Sequence, residues 1–415
     1  MTMIIKRDYY LQQLISSKSN NLIKIVTGIR RSGKSFLLFN LFHNHLIETG
    51  ISEDHIIEIA LDDRLNKNLR DPDVILRHIH ERIVDDKLYY IILDEVQMID
   101  EFTDVLNSLL HIRNADVYVT GSNSKFLSKD VVTEFRGRGD EIHLFPLSFA
   151  ELYNSIGGDK FELWKSYYTY GGLPGILELD SEKKKAAYLR SLHETVYLKD
   201  IIERNNLKNS EEFMELMRVM ASCIGSPCNP SKLENTFKSV KNETLDRKTI
   251  SKYLSYMEDA FLIEKSMRYD IKGRKYIGTL SKYYFQDIGL RNALLNFRQV
   301  EENHIMENVI YNELRLRGFC VDVGMVEART AKERKQLEVD FVANMADRRY
   351  YIQSAFAMPD DDKREQESAS LKRIDDSFKK IIIMRDDIKP YHDNNGFYIV
   401  GLMDFLLKPD LIEQL

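Results

Sequence analysis

Residues 22–35 read LIKIVTGIRRSGKS, and they specify how the first part of the chain folds. Leu22–Thr27 is short and mostly apolar, which predicts a buried strand. Residues 28–35 match the pattern Gly-x-x-x-x-Gly-Lys-[Ser/Thr], and Ser35–Ile47 continues as an apolar stretch typical of a helix. A strand, a glycine-containing loop and a helix in this order let backbone N–H groups curl around a phosphate.

The residue types in this motif suit a phosphate-binding loop. Glycines let the backbone approach the phosphates, Lys34 can reach the β- and γ-phosphates, and Ser35 offers a hydroxyl to Mg²⁺. The alternative is a chance glycine-containing turn, which needs neither the preceding strand nor the following helix. We therefore predict a triphosphate-binding loop formed by Gly28, Ile29, Arg30, Arg31, Ser32, Gly33, Lys34 and Ser35.

Two carboxylates follow the apolar stretch Tyr89–Leu93. Asp94 would lie at the carboxyl edge of a parallel sheet, beside the loop, where it can hold Mg²⁺ through water. Glu95 is one residue further and could polarise the attacking water. Acidic residues also cap helices after strands, but the complete phosphate loop upstream favours a metal site.

Three further polar residues are candidates for the same chemistry. Ser122 and Asn123 follow the predicted strand Val117–Thr120 and could orient the water, although a simple turn explains Gly-Ser-Asn equally well. Arg138 or Arg136 could reach the γ-phosphate of a neighbouring subunit and stabilise charge there. A plain surface arginine is the commoner alternative.

Strands and helices alternate through about residue 150. Ile56–Leu61 predicts a second strand, and Val74–Val84 and a stretch around Phe102–Arg113 predict helices. Apolar strands alternating with helices indicate a parallel sheet covered on both faces. The first domain is therefore predicted to be α/β.

Length and composition limit the remaining options. At roughly 100–200 residues per domain, 415 residues allow two to four domains. Three cysteines, without a Cys-x-x-Cys pair, provide neither a disulfide framework nor a thiolate zinc site, so a reducing cytoplasm is the expected location. We expect no signal peptide and no membrane span. The net charge of −6 argues against nucleic-acid binding through bulk charge.

The rest of the chain divides into three predicted parts. Residues 149–210 are helical and rich in Tyr and Leu, with a turn at 171–175. Residues 211–287 indicate three helices and a hairpin around a basic turn. Residues 288–415 indicate a helix followed by several strands, which is again α/β. The charged run 359–367 suits a solvated loop or the start of a helix.

These residues together resemble bacterial and archaeal AAA+ ATPases that carry a C-terminal domain of unknown function. The resemblance rests on the loop at 28–35 and on sequences at 93–95, 120–122, 137–138 and 145–149, and it continues through 171–174, 197–200, 307–308, 313–314 and 338–341. It covers essentially the whole chain.

The resemblance implies four parts. They are a P-loop AAA+ core (1–148), a helical lid (149–210), a winged helix-turn-helix (211–287) and an α/β domain similar to restriction endonucleases (288–415). It also implies ATP rather than GTP as the nucleotide. Ser122 or Asn123 matches the sensor position, and Arg138 matches the arginine-finger position better than Arg136.

Residues 228–275 carry eleven basic and seven acidic side chains, a net charge of +4. A basic third helix, capped by Asp246 or Thr249, and a basic hairpin suit contact with DNA phosphates. Winged helices in multi-domain ATPases also serve only for packing or protein contact, so this alternative stays open.

The last part contains an incomplete nuclease pattern. Such sites place an acidic residue on one strand and Glu-x-Lys on the next. Asp340 fits the first position and Glu307 could add a carboxylate, but Gln353 and Ala355 replace the Glu and the Lys. We predict that this domain does not cut DNA by the usual mechanism.

The leading functional prediction is an Mg²⁺-dependent ATPase whose nucleotide state is coupled to DNA or to an unidentified protein partner. The alternative is a slow nucleotide-dependent binding switch, and an ATP-regulated nuclease is disfavoured. A homo-oligomer is one option, because an arginine supplied in trans needs a neighbour.

Overall fold

The structure is a computed structural model that describes residues 5–121, 137–208, 210–241, 245–329 and 334–414. The chain forms two compact units. Unit 1 contains the residues up to Leu147 together with Leu173–Glu178 and Asp259–Phe261. Unit 2 contains Ser148–Gly172, Leu179–Glu258 and the residues from Leu262 on. Ser122, Asn123 and Arg136 lie outside the described residues.

Unit 1 is built on a parallel sheet. Its strands are β1 (Ile23–Thr27), β2 (Ile56–Ala60), β3 (Tyr89–Asp94), β4 (Ala115–Thr120) and β5 (Gly139–His143). Their order across the sheet is β2-β3-β4-β1-β5, and each neighbouring pair is parallel. The predicted α/β class of the first domain is therefore confirmed.

Helices cover both faces of this sheet. In the described part of unit 1 they are α1 (Asp8–Ser16), α2 (Lys34–Phe36), α3 (His43–Glu48), α4 (Pro72–Arg82) and α5 (Phe102–Leu109), with a π-helical segment (Leu37–Phe42) between α2 and α3. One core contains side chains of α4 and α5, and the other contains side chains of α1, α3 and the π-helical segment. Successive residues of a strand point to opposite faces, so each apolar strand contributes to both cores.

Local sequence sets the helix boundaries. Asp71 caps α4, because its Oδ1 accepts hydrogen bonds from the backbone N–H groups of Asp73 and Val74, and Pro72 occupies the first turn. Inside β1, Lys24 is fully buried and its ammonium pairs with Asp116 of β4. The single charge in this apolar strand is therefore neutralised within the sheet.

Unit 2 begins with helices. Its described helices are α6 (Phe149–Ile156), α7 (Lys160–Tyr170), α8 (Glu182–Leu192), α9 (Lys199–Asn205), α10 (Ser210–Ser222), α11 (Pro230–Thr236), α12 (Arg247–Asp259), α13 (Ile288–Leu294), α14 (Glu302–Leu316), α15 (Asp361–Ser368) and α16 (Leu402–Leu407). The described residues of 149–210 are mainly helical, as expected, and the charged run 359–367 leads into α15. Asp246 caps α12, since it accepts hydrogen bonds from the N–H groups of Lys248 and Thr249.

A mixed sheet completes unit 2. Its strands are β6 (Ile263–Asp270), β7 (Lys275–Phe285), β8 (Cys320–Arg329), β9 (Arg334–Met345), β10 (Arg348–Ala355), β11 (Lys379–Met384), β12 (Tyr391–His392) and β13 (Tyr398–Gly401). Their order is β12-β13-β11-β10-β9-β8-β6-β7.

This order corrects the prediction of a separate wing. The hairpin of β6 and β7 was placed with the three helices of residues 211–287, but β6 pairs in parallel with β8 over Arg268–Asp270. The hairpin therefore extends the sheet of the last predicted domain. The predicted boundary at residue 287 falls between β7 and β8, which are strands of this one sheet. Apolar and polar side chains of the hairpin become buried on pairing, and these include Arg268 and Lys282.

Candidate functional site

The loop after β1 requires glycine at residue 28. Gly28 has φ of +136°, and a Cβ placed there would lie 2.2 Å from the carbonyl oxygen of Leu144. Gly33 also has a positive φ, +100°, directly before α2. Because side chains disfavour this backbone region, the two glycines let the chain fold back tightly between β1 and α2.

Lys34 lies inside the curve of the loop. Its side chain is 5% exposed, and its Nζ donates hydrogen bonds to the carbonyl oxygens of Gly28 (3.0 Å) and Ile29 (3.2 Å). Burial lowers the pKa of Lys34, while the nearby carboxylates of Glu95 and Asp94 raise it. The ammonium is thus held at the loop, on the side that faces the two acidic residues.

A chain of hydrogen bonds joins three elements of the sheet edge. Ser35 Oγ, in α2, donates to Asp94 Oδ2 at 2.7 Å, and Thr120 Oγ1, at the end of β4, donates to Asp94 Oδ1. The same Thr120 oxygen accepts a hydrogen bond from the backbone N–H of Glu95 at 2.9 Å. The two residues predicted to hold Mg²⁺, Ser35 and Asp94, therefore lie in direct contact.

The electrostatics at Asp94 depend on what is bound. Burial raises the pKa of Asp94, the hydrogen bonds from Thr120 and Ser35 lower it, and Glu95 raises it again. A cation next to Asp94 would favour the ionised carboxylate. A hydroxyl and a carboxylate are suitable donors for Mg²⁺, which keeps several waters and takes further ligands from phosphates.

Glu95 adopts an unusual backbone conformation. Its φ is +54°, in the left-handed region, which is strained for a residue with a side chain. Its Oε2 accepts a hydrogen bond from Gln97 Nε2. The chain therefore turns at Glu95, directly after the strand that ends at Asp94.

The N-terminal segment is tied to the loop by Arg7. This buried guanidinium donates hydrogen bonds to the carbonyl oxygens of Ser32 (3.2 Å) and Phe145 (2.7 Å). A cavity of about 630 Å³ lies beside these residues, within the range typical of small-molecule sites. Its lining is largely apolar and includes Ile5, Phe36, Leu147, Pro174 and Leu177.

Arg138 lies at the other edge of the same sheet. Its carbonyl oxygen accepts a hydrogen bond from the N–H of Ile23, where β1 starts, whereas the phosphate loop follows the end of β1. The separation is the length of β1, about 15 Å at the usual rise per residue. The exposed Arg138 side chain donates to Asn107 Oδ1 at 3.3 Å. Arg138 is therefore not brought to the loop of its own chain.

The other predicted residues of the loop differ in how exposed they are. Ile29 is buried, Arg30 is half-buried and Arg31 is exposed, with Arg31 in the left-handed region at φ of +65°. Thr120 and Arg7 are contacts that the sequence analysis missed. Thr120 could have been found, because it ends a strand next to the acidic strand, but no sequence pattern marks Arg7.

A second polar cluster lies in unit 2, where the incomplete nuclease pattern was predicted. Lys282 Nζ, from β7, lies 2.7 Å from Glu307, 2.8 Å from Glu338 and 3.6 Å from Asp340. Asp340 Oδ2 also accepts a hydrogen bond from the N–H of Ser354 at 2.9 Å. The structure thus brings Glu307 and Asp340 together as predicted, and adds a lysine that sequence reasoning missed.

The lysine acts as the counter-ion of this cluster. Burial would lower the pKa of Lys282, but the surrounding carboxylates raise it well above its usual value. Burial raises the pKa of Asp340 to about 7, with a further contribution from Glu307. Within the described ranges, no three His, Cys, Asp or Glu side chains are arranged to hold a metal ion.

Comparisons with known proteins agree with the fold of unit 1. Residues 20–153 match the family model described as "AAA domain", and residues 161–301 match a "Domain of unknown function (DUF8612)". The N-terminal part of the chain is therefore similar to AAA domains, in agreement with its parallel sheet and glycine loop.

Two relatives are similar over 90% or more of this chain. A Haemophilus influenzae protein described as "Uncharacterized protein" is 33% identical over 414 residues, which is 98% of this chain and 99% of the relative. The chain belongs to the family of that protein. An uncharacterized protein of Methanocaldococcus jannaschii is 29% identical over 90% of this chain and 82% of its own length.

Among solved structures, the Aeropyrum pernix ORC1 protein, determined in complex with DNA, is similar over 71% of this chain and 93% of its own length. The identity is 12% and the TM-score is 0.30. In the described part of the chain, no helix has both the length and the apolar character needed to cross a membrane.

The Lys282 cluster yields a test of pH dependence. When folding raises the pKa of a carboxyl, the free energy of unfolding falls as the pH rises from the pKa of the unfolded chain to the higher pKa of the folded chain. Asp340→Asn removes this ionisation, so its stability relative to the wild type should increase between pH 5 and pH 8, by an order of a few kcal/mol. The measurement is urea unfolding followed by the fluorescence of Trp164, the single tryptophan, which is buried in unit 2.

Glu234→Gln is the matched control. Glu234 is also in unit 2, but hydrogen bonds from Arg247 and Lys238 lower its pKa, so it is already ionised at pH 5. Its stability difference should stay flat over the same range. A flat profile for Asp340→Asn would contradict the account of the cluster.

Proposed function

We propose that the protein is an Mg²⁺-dependent ATPase that binds the triphosphate at residues 28–35. The observation that carries the proposal is the hydrogen-bonded contact of Ser35 with Asp94, next to the buried Lys34. A hydroxyl, a carboxylate and an ammonium around a glycine loop are the set of groups that a metal triphosphate requires.

Each residue of the site has a distinct part in the proposal. Backbone N–H groups of residues 28–33 and the Lys34 ammonium bind phosphate oxygens, and Ser35 and Asp94 hold Mg²⁺ directly or through water. The metal, when bound, neutralises charge on the phosphates. The largely apolar cavity that includes Ile5, Phe36 and Leu177 suits the adenine base.

Hydrolysis is assigned to Glu95. Its carboxylate would accept a proton from the water that attacks the γ-phosphate, and Glu95 follows Asp94 of the metal site directly in sequence. Ser122 or Asn123 is proposed to orient the same water. The position of Arg138, a strand length from the loop of its own chain, supports a role only at a neighbouring subunit in a homo-oligomer.

Two variants test this assignment. Lys34→Ala should weaken ATP binding at least tenfold, because a charged contact with the phosphates is lost. Glu95→Gln should bind ATP as the wild type does, but its turnover should fall by roughly 10²–10⁴-fold, because the amide cannot accept the proton. Calorimetric titration with a non-hydrolysable ATP analogue and a phosphate-release assay measure the two effects.

Lys67→Ala is the control, since Lys67 is an exposed lysine of the same unit. It should match the wild type in both assays. Normal ATP turnover in Lys34→Ala would overturn the assignment. Binding of the analogue by the wild type without detectable turnover would instead indicate a slow binding switch, and loss of binding in Glu95→Gln would contradict the separate roles given to Lys34 and Glu95.

A coupled binding function in unit 2 is the second part of the proposal. Exposed basic side chains at Lys248, Lys252, Lys272, Arg274 and Lys275 support contact with DNA phosphates. Fewer basic side chains of residues 228–275 are available to contact DNA than the composition suggests. Glu234 binds both Arg247 and Lys238, and Arg268 is buried. A protein partner is the alternative ligand of this surface.

Reciprocal coupling tests this part. Duplex DNA should raise the ATPase rate and the ATP analogue should change DNA affinity by the same factor as DNA changes analogue affinity. Replacing Lys272, Arg274 and Lys275 by Ala should weaken both effects.

The DNA should be recovered uncut, because Ala355 cannot accept or donate a proton. Cleavage with Mg²⁺ or Mn²⁺ that Asp340→Ala abolishes would contradict the proposed inactivity, and absence of any DNA effect would favour a protein partner.

A further inference from the structure

Among the described residues, one buried arginine of unit 2 has no carboxylate partner. Arg291, in α13, is 2% exposed, and its Nε donates a hydrogen bond to the carbonyl oxygen of Ala221 at 2.7 Å. Its Nη1 donates to Asn292 Oδ1 at 3.0 Å and to the carbonyl oxygen of Gln299. All of these acceptors are neutral, and among the described residues Arg291 forms no ion pair. Arg317, which is similarly buried, has Glu313 at 2.7 Å.

A buried charge without a counter-ion is costly. Burial lowers the pKa of Arg291 to about 10, and the nearby carboxylate of Glu301 only partly opposes this. The guanidinium therefore stays positive at neutral pH. An anion placed against it would offset the cost of its burial.

Space for such an anion lies next to the guanidinium. A cavity of about 240 Å³ is lined by Arg291, Ser226, Gln299 and His304, among others. Its volume is below the roughly 300–1,000 Å³ of sites for drug-sized ligands, so it suits a small ion or a terminal group. Ser222 also borders it, but its hydroxyl already donates to the carbonyl oxygen of Val219. The hydroxyl of Ser226, the amide of Gln299 and the imidazole of His304 are therefore the donors that suit several oxygens of one ligand.

The N-terminus of α14 borders the same cavity. Glu301 is the N-cap residue of this 15-residue helix and makes no side-chain capping hydrogen bond, and His304 lies in the first turn. Backbone N–H groups and the helix dipole favour an anion at this end. Glu302 is held elsewhere, because its Oε1 accepts hydrogen bonds from Trp164 and Arg385.

One group opposes an anion. Glu301 is exposed and lines the cavity, and its carboxylate raises the pKa of Arg291. Like charges repel, so Glu301 should weaken anion binding without abolishing it. Removing the charge of Glu301 should therefore strengthen anion binding. A purely structural role of Arg291 does not predict this effect.

We infer that this cavity is a binding site for a tetrahedral oxyanion, phosphate or the end of a phosphomonoester, held by Arg291 and the first turn of α14. Guanidinium groups recognise phosphate through paired, charge-assisted hydrogen bonds. The site is separate from the phosphate loop, and it does not depend on the proposed ATPase activity.

The test uses the full chain with Lys34→Ala as the host, so that phosphate binding at the loop is weakened. Inorganic phosphate is titrated by calorimetry, and methyl phosphate in a parallel arm distinguishes a free ion from a phosphomonoester. Adding Glu301→Gln should tighten binding roughly three- to tenfold, because the opposing charge is removed. Adding His304→Ala should weaken it, and Arg291→Gln should abolish it.

Arg364→Gln in the same host is the control, because Arg364 is an exposed arginine of α15 in the same unit. It should leave the affinity unchanged. Fluorescence of the buried Trp164 checks that unit 2 remains folded in each variant, since Arg291→Gln also removes hydrogen bonds to two backbone carbonyls. The inference is overturned if the host binds no phosphate, or if Glu301→Gln and His304→Ala both leave the affinity at the host value.

Discussion

The hydrogen bonds that Asp94 accepts from Ser35 and Thr120 are the interaction on which the site depends. They join the helix after the phosphate loop, the acidic strand and the strand between the acidic strand and β1. Parallel strands end at one edge of a sheet, so this edge can collect groups that are far apart in sequence. The strand order β3-β4-β1 makes Thr120 the residue that bridges them. Without this contact, Asp94 would be a buried carboxylate lacking partners.

Much of unit 1 follows from local sequence. The apolar strands and the glycine pattern predicted both the sheet and the loop, because strand burial and positive φ are properties of short segments. The contact of Ser35 with Asp94 was also predictable, since the phosphate loop and Asp94 both lie at the carboxyl ends of strands in one parallel sheet. The buried pair of Lys24 with Asp116 was not, because it depends on which strands become neighbours. A single lysine in an apolar strand does not indicate which acidic residue it pairs with.

Unit 2 shows where sequence reasoning fails. The helices and strands were found close to their predicted positions, but the pairing of β6 with β8 joins segments more than fifty residues apart. That pairing brings Lys282 to Glu307 and Asp340, where the nuclease pattern has Ala355 in place of a lysine. Local periodicity specifies that a hairpin exists, whereas its place in a sheet is set by tertiary packing. The buried carboxylates are therefore balanced by an ammonium that no motif predicted.

The central claim is that Ser35 and Asp94 hold the metal of a metal triphosphate. Affinity for a non-hydrolysable ATP analogue, measured by calorimetry with Mg²⁺ and with excess chelator, tests it most directly. The wild type should bind the analogue at least tenfold more tightly with Mg²⁺, and Asp94→Asn should lose most of this gain while still binding the metal-free analogue. An equal gain from Mg²⁺ in the wild type and in Asp94→Asn would contradict the account.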